Sequence, residues 1–371
     1  MKRIVPFLLT AMLLISLLAG CAGGGSQAAG QTESSAAAES AGPAESAESA
    51  ESSEPPAPAA IDDGRARPSV CGHLQVTGGK LCSESGEPVM LRGVSTYELT
   101  SAESFLNDEA FRELSEDDGV NLIRLAVYTY GVGIVGYCTQ GDQERYKEDV
   151  DKGVKLAADH DMYVIIDWHI LSDGDPNTYA DQAELFFAEM AEKYSEYNNV
   201  LYEICNEPNG VDWSRVTEYA QRIIPVIRGK DPDSVIIVGN PDWSKDLYSV
   251  AVDPLEFDNI LYTLHFYAAT HGQEFQKMTK EVSQRGLPVF VSEYSVTAAS
   301  GGLPRDLESA DAWIGLLENE NISYCLWSYS KVNEACSVIR WNVPKYSGFE
   351  TEDYTETGLW LLDTLQKYNT R

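Results

Sequence analysis

The chain reads as an α/β protein, a (β/α)8 TIM barrel with a short N-terminal β-hairpin in front of it. Three observations lead there. Eight short apolar, β-rich runs recur along the sequence, amphipathic stretches of helical length separate them, and no glycine-rich loop follows a strand to open a helix. Continuous apolar strands alternating with helices mean a buried parallel sheet. Eight such units over about 300 residues close into a barrel more readily than they fill an open sheet. Without a phosphate-cradling loop, a nucleotide-binding sheet lacks its defining feature.

The elements follow in order. Cys71 and Cys82 flank a hairpin whose turn is Gly78-Gly79. They are close enough for a disulfide or for two free thiols. The strand runs are Val89–Val94, Leu122–Val127, Tyr163–Asp167, Val200–Cys205, Val235–Val238, Ile260–His265, Val289–Ser292 and Tyr324–Trp327. Helical spacing of apolar residues marks Gln143–Asp159, Ala180–Tyr197, Trp213–Gly229, Phe275–Arg285 and Asp306–Glu318. Cys205 and Cys325 fall inside strand runs, as inert core residues. His160 and His271 read as solvent-facing.

Ahead of the barrel lies an address and a tether. Residues 1–20 combine Lys2-Arg3 with the apolar run Ile4–Leu18, the layout of a secretory signal peptide. Leu18-Ala19-Gly20-Cys21 resembles the bacterial lipobox, which makes Cys21 the lipidation site. Residues 22–60 are almost wholly Ala, Gly, Ser, Glu and Pro, without an aromatic residue, Lys or Arg, and cannot offset their ordering entropy. The domain plan is therefore a signal peptide (1–20), a lipidated, disordered tether (21–60) and a folded domain (61–371). The expected location is exported, lipid-anchored at a bacterial cell surface or envelope, touching the membrane only through that anchor.

Charge excludes one class of partner. With 58 acidic against 27 basic residues the chain carries −31, of which −27 falls on residues 61–371. No nucleic-acid partner is expected, because a phosphate backbone requires clustered Lys and Arg. An acidic surface does not repel a neutral polysaccharide.

Barrels of this kind carry their chemistry at the C-terminal ends of the strands. Those ends hold Arg124, Asp167-Trp168-His169, Asn206-Glu207-Pro208, His265-Phe266-Tyr267, Glu293-Tyr294 and Trp327-Ser328. Either glutamate alone could be a helix N-cap, and Trp168, Trp243 and Trp327 could each be core. A buried arginine requires a partner, so Arg124 implies a carboxylate in the barrel mouth. Two strand-end glutamates on facing sides of a barrel are the apparatus of glycoside hydrolysis, one as acid and one as nucleophile or base. Arg124 beside Glu293 would hold it ionised, and a more apolar setting would keep the proton on Glu207. Rim tryptophans would stack on sugar faces.

Four segments carry a resemblance. Tyr163–His169, Tyr202–Gly210 with its Asn-Glu-Pro block, Tyr262–Tyr267 and Pro288–Glu293 resemble glycoside hydrolase family 5, the cellulase A family, over about Gly86 to Trp360. The bacterial endo-1,4-β-glucanases are the nearest likeness. The resemblance implies a retaining double displacement with Glu207 as acid/base and Glu293 as nucleophile. It implies that Arg124 and Tyr267 bond the nucleophile, that Asn206 holds the sugar 2-hydroxyl, and that His169 and His265 line the same subsite. Trp327 would floor that subsite, with Tyr128 and Trp243 at neighbouring positions. Glu334 keeps its place in the family pattern. A family histidine is Tyr97 here and a stacking tryptophan is Ser101; Tyr294-Ser295, Leu326 and the displaced Lys331 are further departures, all read as sugar-holding positions.

These readings converge on a monomeric endo-β-1,4-glucanase acting on cellulose-like or mixed-linkage β-glucan, with no cofactor and no metal. The alternatives are a β-mannanase or xyloglucanase of the same family, or a surface glycan-binding lipoprotein without catalysis.

Overall fold

The computed structural model describes residues 63–131 and 135–369. The signal peptide, Cys21 and the tether therefore lie outside the described residues. Eight parallel strands form a closed barrel: β1 (Arg92–Glu98), β2 (Leu122–Tyr128), β3 (Tyr163–His169), β4 (Val200–Glu203), β5 (Ile236–Val238), β6 (Ile260–Tyr267), β7 (Val289–Ser295) and β8 (Tyr324–Tyr329). Each is followed by a helix: α1 (Asp108–Arg112), α2 (Gln143–Asp159), α3 (Ala180–Tyr194), α4 (Trp213–Arg228), α5 (Leu247–Val252), α6 (Gln273–Gln284), α7 (Leu307–Glu320) and α8 (Glu356–Asn369). The ring closes where β8 pairs with β1, Tyr324 opposite Arg92 and Trp327 opposite Ser95.

Local chemistry sets the helix ends. The Asp142 and Asp212 side chains accept from the Arg145 and Arg215 amides, capping α2 and α4 where the first-turn N–H groups have no intrahelical partner. In α2 the buried residues Tyr146, Val150, Val154 and Ala157 recur at helical spacing and form the stripe laid against the sheet.

The barrel interior is layered by the two-residue period of the strands. At the base, Leu122, Tyr163, Ile165, Leu201, Ile237, Leu261, Phe290 and Cys325 pack together and are closed from below by Leu74 and Leu81 of the hairpin Gln75–Thr77/Lys80–Cys82 and its approach. The alternate residues Ile123, Val164, Ile166, Tyr202, Leu264 and Val291 face outward into the larger core shared with the helices. One step higher, the same inward parity gives Arg124, Asp167, Glu203 and Thr263. Another step gives Ala126, His169 and His265.

Strand β7 breaks this period. Thr263 pairs with Phe290 but His265 pairs with Glu293, so β7 has one residue more than β6 over this stretch. The β8 side agrees, Tyr324 opposing Val291 and Leu326 opposing Tyr294. The resulting bulge turns both Ser292 and Glu293 inward, where a regular strand would offer only one of them.

Three expectations need correction. The first strand begins at Arg92 rather than Val89, because Pro88 pairs back to Cys82 and Val89 belongs to the basal plug. Of the two states left open for Cys71 and Cys82 the structure has the free thiols, as at all the described cysteines, and no expectation changes there. His271 is not solvent-facing but buried, its Nδ1 accepting from the Tyr267 amide at 2.9 Å. His160 is likewise mostly covered, 2.9 Å from Asp108. Among the described residues no helix is long and apolar enough to cross a membrane.

Candidate active site

The centre of the mouth is one guanidinium among three carboxylates. Arg124, fully buried, donates from Nε to Glu203 at 2.7 Å and from Nη1 to Glu293 at 3.2 Å, and its Nη2 lies 2.9 Å from Asp167. Nη2 also donates to the Asn206 side-chain oxygen at 2.7 Å. The carboxylate that Arg124 required is thus threefold. Burial works against the charges here, and the outcome differs by residue. Burial would raise Glu203, but the Arg124 charge and the nearby His265 ring outweigh it and hold it down at about 2. At Asp167 burial wins over Arg124 and pushes the carboxyl up. Arg124 itself is raised: burial opposes its charge, and the three carboxylates overcome that.

Glu293 is held at both oxygens, by Arg124 and by the Tyr267 hydroxyl, which donates at 2.7 Å. Glu207 lies 3.0 Å from His265 Nδ1. On its far side His265 donates to the Ser292 hydroxyl at 3.0 Å, and Ser292 donates to Glu203 at 2.6 Å while Thr263 lies 2.5 Å from it. Burial would lower the His265 pKa, but the Glu293 charge, the nearby Glu203 carboxylate and the bonded Glu207 carboxylate outweigh it and raise it to about 9. It is therefore an imidazolium donating from both nitrogens. The chain Glu207–His265–Ser292–Glu203–Arg124–Glu293 joins the two candidate catalytic carboxylates from behind.

A carboxylate oxygen of Glu207, a ring nitrogen of His265 and a carboxylate oxygen of Glu293 lie within 4.8 Å of one another. Among the described residues this is the one cluster with the spacing of a metal site.

His169 is the contrasting histidine. Burial and the Arg124 charge lower its pKa to about 3, so the ring is neutral, its Nδ1 donating to Asp167 at 2.7 Å. It stacks on Tyr128 at 4.3 Å and on Trp327 at 5.2 Å, and Tyr97 adds a ring 5.7 Å from Trp327. These four rings form a shelf on one side of the carboxylates. On the other side Glu207, Trp243, Lys245, His265, Tyr267 and His271 line a cavity of about 240 Å³. Trp243 is 47% exposed. It is presented there by a left-handed turn, with φ of 59°, 57° and 55° at Asp242, Trp243 and Ser244. Such backbone costs about 1–2 kcal/mol per residue. Here it is tied down by the Trp243 amide on the Pro208 carbonyl and the Ser244 hydroxyl on the Asn206 carbonyl.

Trp168 is core, packed among Tyr137, Phe186 and Phe187. Two of the departures read as sugar-holding are also core. Tyr294 and Leu326 are buried on the outward face, Tyr294 stacked on Phe266 at 5.2 Å. The parity after the bulge sends Tyr294 outward as surely as it sends Glu293 inward. Lys331 is turned aside, its Nζ 3.5 Å from the Tyr346 ring centre and bonded to the Val343 carbonyl. Ser101 serves the fold, since with Thr100 it binds the fully buried Glu98 carboxylate through amides and hydroxyls. Tyr97 and Glu334 do reach the cleft, and the Glu334 charge helps burial raise the Tyr97 phenol. Sequence reasoning missed Glu203 and Ser292. Inward parity with Leu201 and Phe290 was the signal that could have found them.

Residues 82–333 match the protein family described as Cellulase (glycosyl hydrolase family 5). Endoglucanase A of Butyrivibrio fibrisolvens is 43% identical over 300 residues, which are 80% of this chain and 69% of that protein. An endoglucanase of Clostridium saccharobutylicum is 40% identical over 307 residues, 82% of this chain and 67% of that one. Among solved structures, the catalytic domain of Thermobifida fusca endoglucanase Cel5A in complex with cellotetraose superposes with a TM-score of 0.77 at 35% identity. That match covers 81% of this chain and all of that one.

Proposed function

The chain belongs to glycosyl hydrolase family 5, the cellulases, and from that membership and the mouth described above we infer that it is an endo-acting β-1,4-glucanase. We further propose that it works with retention of anomeric configuration. The observation that carries this is the approach of the Glu207 and Glu293 carboxylates to within 4.8 Å. Retaining enzymes hold the two about 5–5.5 Å apart, whereas inverting ones leave about 6.5–9.5 Å for a water.

In the first step Glu293 attacks the anomeric carbon while Glu207 passes its proton to the departing glycosidic oxygen. The C–O bond to the leaving chain breaks as the glycosyl–Glu293 ester forms. In the second, Glu207 takes a proton from water, the hydroxide attacks the same carbon, and the carboxylate of Glu293 leaves. Arg124 and Tyr267 keep Glu293 aimed and share the charge it regains on release. Asn206 holds the sugar 2-hydroxyl in this reading, which its bonds to Arg124 and the Ile170 carbonyl support by fixing the amide. The leaving chain departs beside Glu207 and Trp243. The retained sugar lies over Trp327, His169, Tyr128 and Tyr97.

Cellulose-like and mixed-linkage β-glucan fit this neutral, aromatic shelf, and the protein acts as a monomer without cofactor. The Leu18-Ala19-Gly20-Cys21 sequence and the tether composition support export and lipid attachment of the enzyme at the cell surface. The test is reducing-sugar release from carboxymethylcellulose, barley β-glucan, xyloglucan and glucomannan, with Glu207→Gln as the blank. Proton NMR of the first products accompanies it. Glucan cleavage with the β-anomer released first is expected. An α-anomer first would overturn retention, and no cleavage of any of the four would overturn the activity.

A further inference from the structure

Glu334 also lines a groove of about 750 Å³ that takes no part in the chemistry of the two glutamates. Its walls come from the loops after β7 and β8, and they include Leu303, Arg305, Asn333, Glu334, Arg340 and Trp341. Trp341 is 65% exposed and Leu303 70% exposed. Each leaves a large apolar surface in water, and the Trp341 ring has no stacking partner or hydrogen bond among the described residues. Large apolar faces left bare beside polar groups mark a binding surface.

The chemistry of the walls narrows the occupant. Guanidinium and carboxylate are balanced, Arg305 and Arg340 against Glu334 and Glu356, on a domain that is otherwise strongly acidic. That balance suits a neutral polyhydroxylated ligand better than an ion. The arginines are also fixed: Arg305 donates to the Ala335 carbonyl and to Thr357, and Arg340 to the Glu352 carbonyl. An indole face amid rigid donors and acceptors is how a protein holds a pyranose.

Position supplies the rest. Glu334 lines the groove and accepts from the Cys336 thiol at 3.4 Å, and Cys336 packs with Trp327, Tyr128 and Tyr97 of the shelf. The groove thus adjoins the aromatic shelf across Cys336. We propose that it is a distal subsite for the glucan chain on the glycone side of the cleavage point, with Trp341 as its stacking platform. The proposal rests on the glucanase reading.

The test compares wild type, Trp341→Ala and Trp341→Phe on two substrates. A chromogenic aryl β-cellobioside fills only the positions next to the cleavage point, whereas cellohexaose can extend into the groove. An aromatic contact of this type is worth about 0.5–1.5 kcal/mol, or roughly two- to thirteenfold in KM. Trp341→Ala is expected to raise KM for cellohexaose by that factor, to shift its cleavage position, and to leave KM for the aryl cellobioside within twofold. Trp341→Phe should recover most of the loss. Unchanged kinetics on cellohexaose would overturn the subsite, as would an equal rise on both substrates, which would mean only a disturbed loop. A wild type that cut neither substrate would overturn the glucanase reading itself, and the groove's occupant with it.

Discussion

The charge on His265 can be weighed by removing it. Glu207, Glu203 and Glu293 surround this buried ring, and Ser292 accepts from it. His265→Gln keeps a side chain able to hydrogen-bond but has no charge to give. The rise of the His265 pKa from 6.5 to about 9 on folding corresponds to about 3 kcal/mol of interaction with the carboxylates. A pKa raised by folding stabilises fully below the unfolded value and stops doing so as pH climbs through the folded one. The stability gap between wild type and variant should therefore be widest near pH 6, narrow between pH 6.5 and 9, and level off near pH 10. The small remainder there belongs to the altered hydrogen bonds. Urea unfolding followed by tryptophan fluorescence at pH 6, 7, 8, 9 and 10 measures the gap directly. Parallel profiles across that range would show that the folded ring carries no extra proton, and the linkage from Glu207 to Glu203 would have to be redrawn with a neutral imidazole.

Other perturbations separate the remaining parts. Tyr267→Phe deletes the 2.7 Å bond to Glu293, a charged-group bond worth about 1.5–3 kcal/mol, so kcat/KM on β-glucan should fall roughly 10- to 150-fold with thermal stability nearly unchanged. A fall under threefold would remove Tyr267 from the machinery. Arg124→Met strands Asp167, Glu203 and Glu293 without their guanidinium and should destabilise the fold by about 3–5 kcal/mol. An unchanged unfolding midpoint at pH 7 would contradict the network. Cys21→Ser in the full chain should move the enzyme from the detergent phase to the aqueous phase with specific activity intact, and a variant still partitioning with detergent would refute the anchor.

The barrel was legible because its strands are buried on both faces and its helices on one, so apolar run and apolar stripe alternate in the sequence. The rim was legible because polar residues interrupt those runs at their C-terminal ends. What stayed hidden depends on parity. Glu203 sits inside an apolar run, immediately before the stronger Asn-Glu-Pro signal, and only its two-residue offset from Leu201 reveals that it faces Arg124. Tyr294 and Leu326 looked like altered sugar contacts because they adjoin Glu293 and Trp327, yet neighbours along a strand face opposite sides. His271 looked exposed because nothing in the local sequence announces that the Tyr267 amide will need its ring nitrogen. Each of these facts belongs to the closed sheet, not to any one segment.

The extra residue in β7 has a consequence for how this activity could be lost. A regular strand supplies one inward side chain for every two residues, so it can offer either the serine that braces His265 or the glutamate, at a given height, but not both. The bulge supplies both. Deleting Ser292 would restore an even period: Phe290 inward, Val291 outward, the glutamate inward in the serine's place and Tyr294 still in its core position. Such a chain would keep the inward and outward parity of its apolar residues and both glutamates. It would nonetheless lack the brace and seat its glutamate one layer too deep. The chemistry of this barrel is thus exposed to a change of one codon in length, which would strip His265, Glu203 and Thr263 of their shared hydroxyl while leaving both glutamates in the chain.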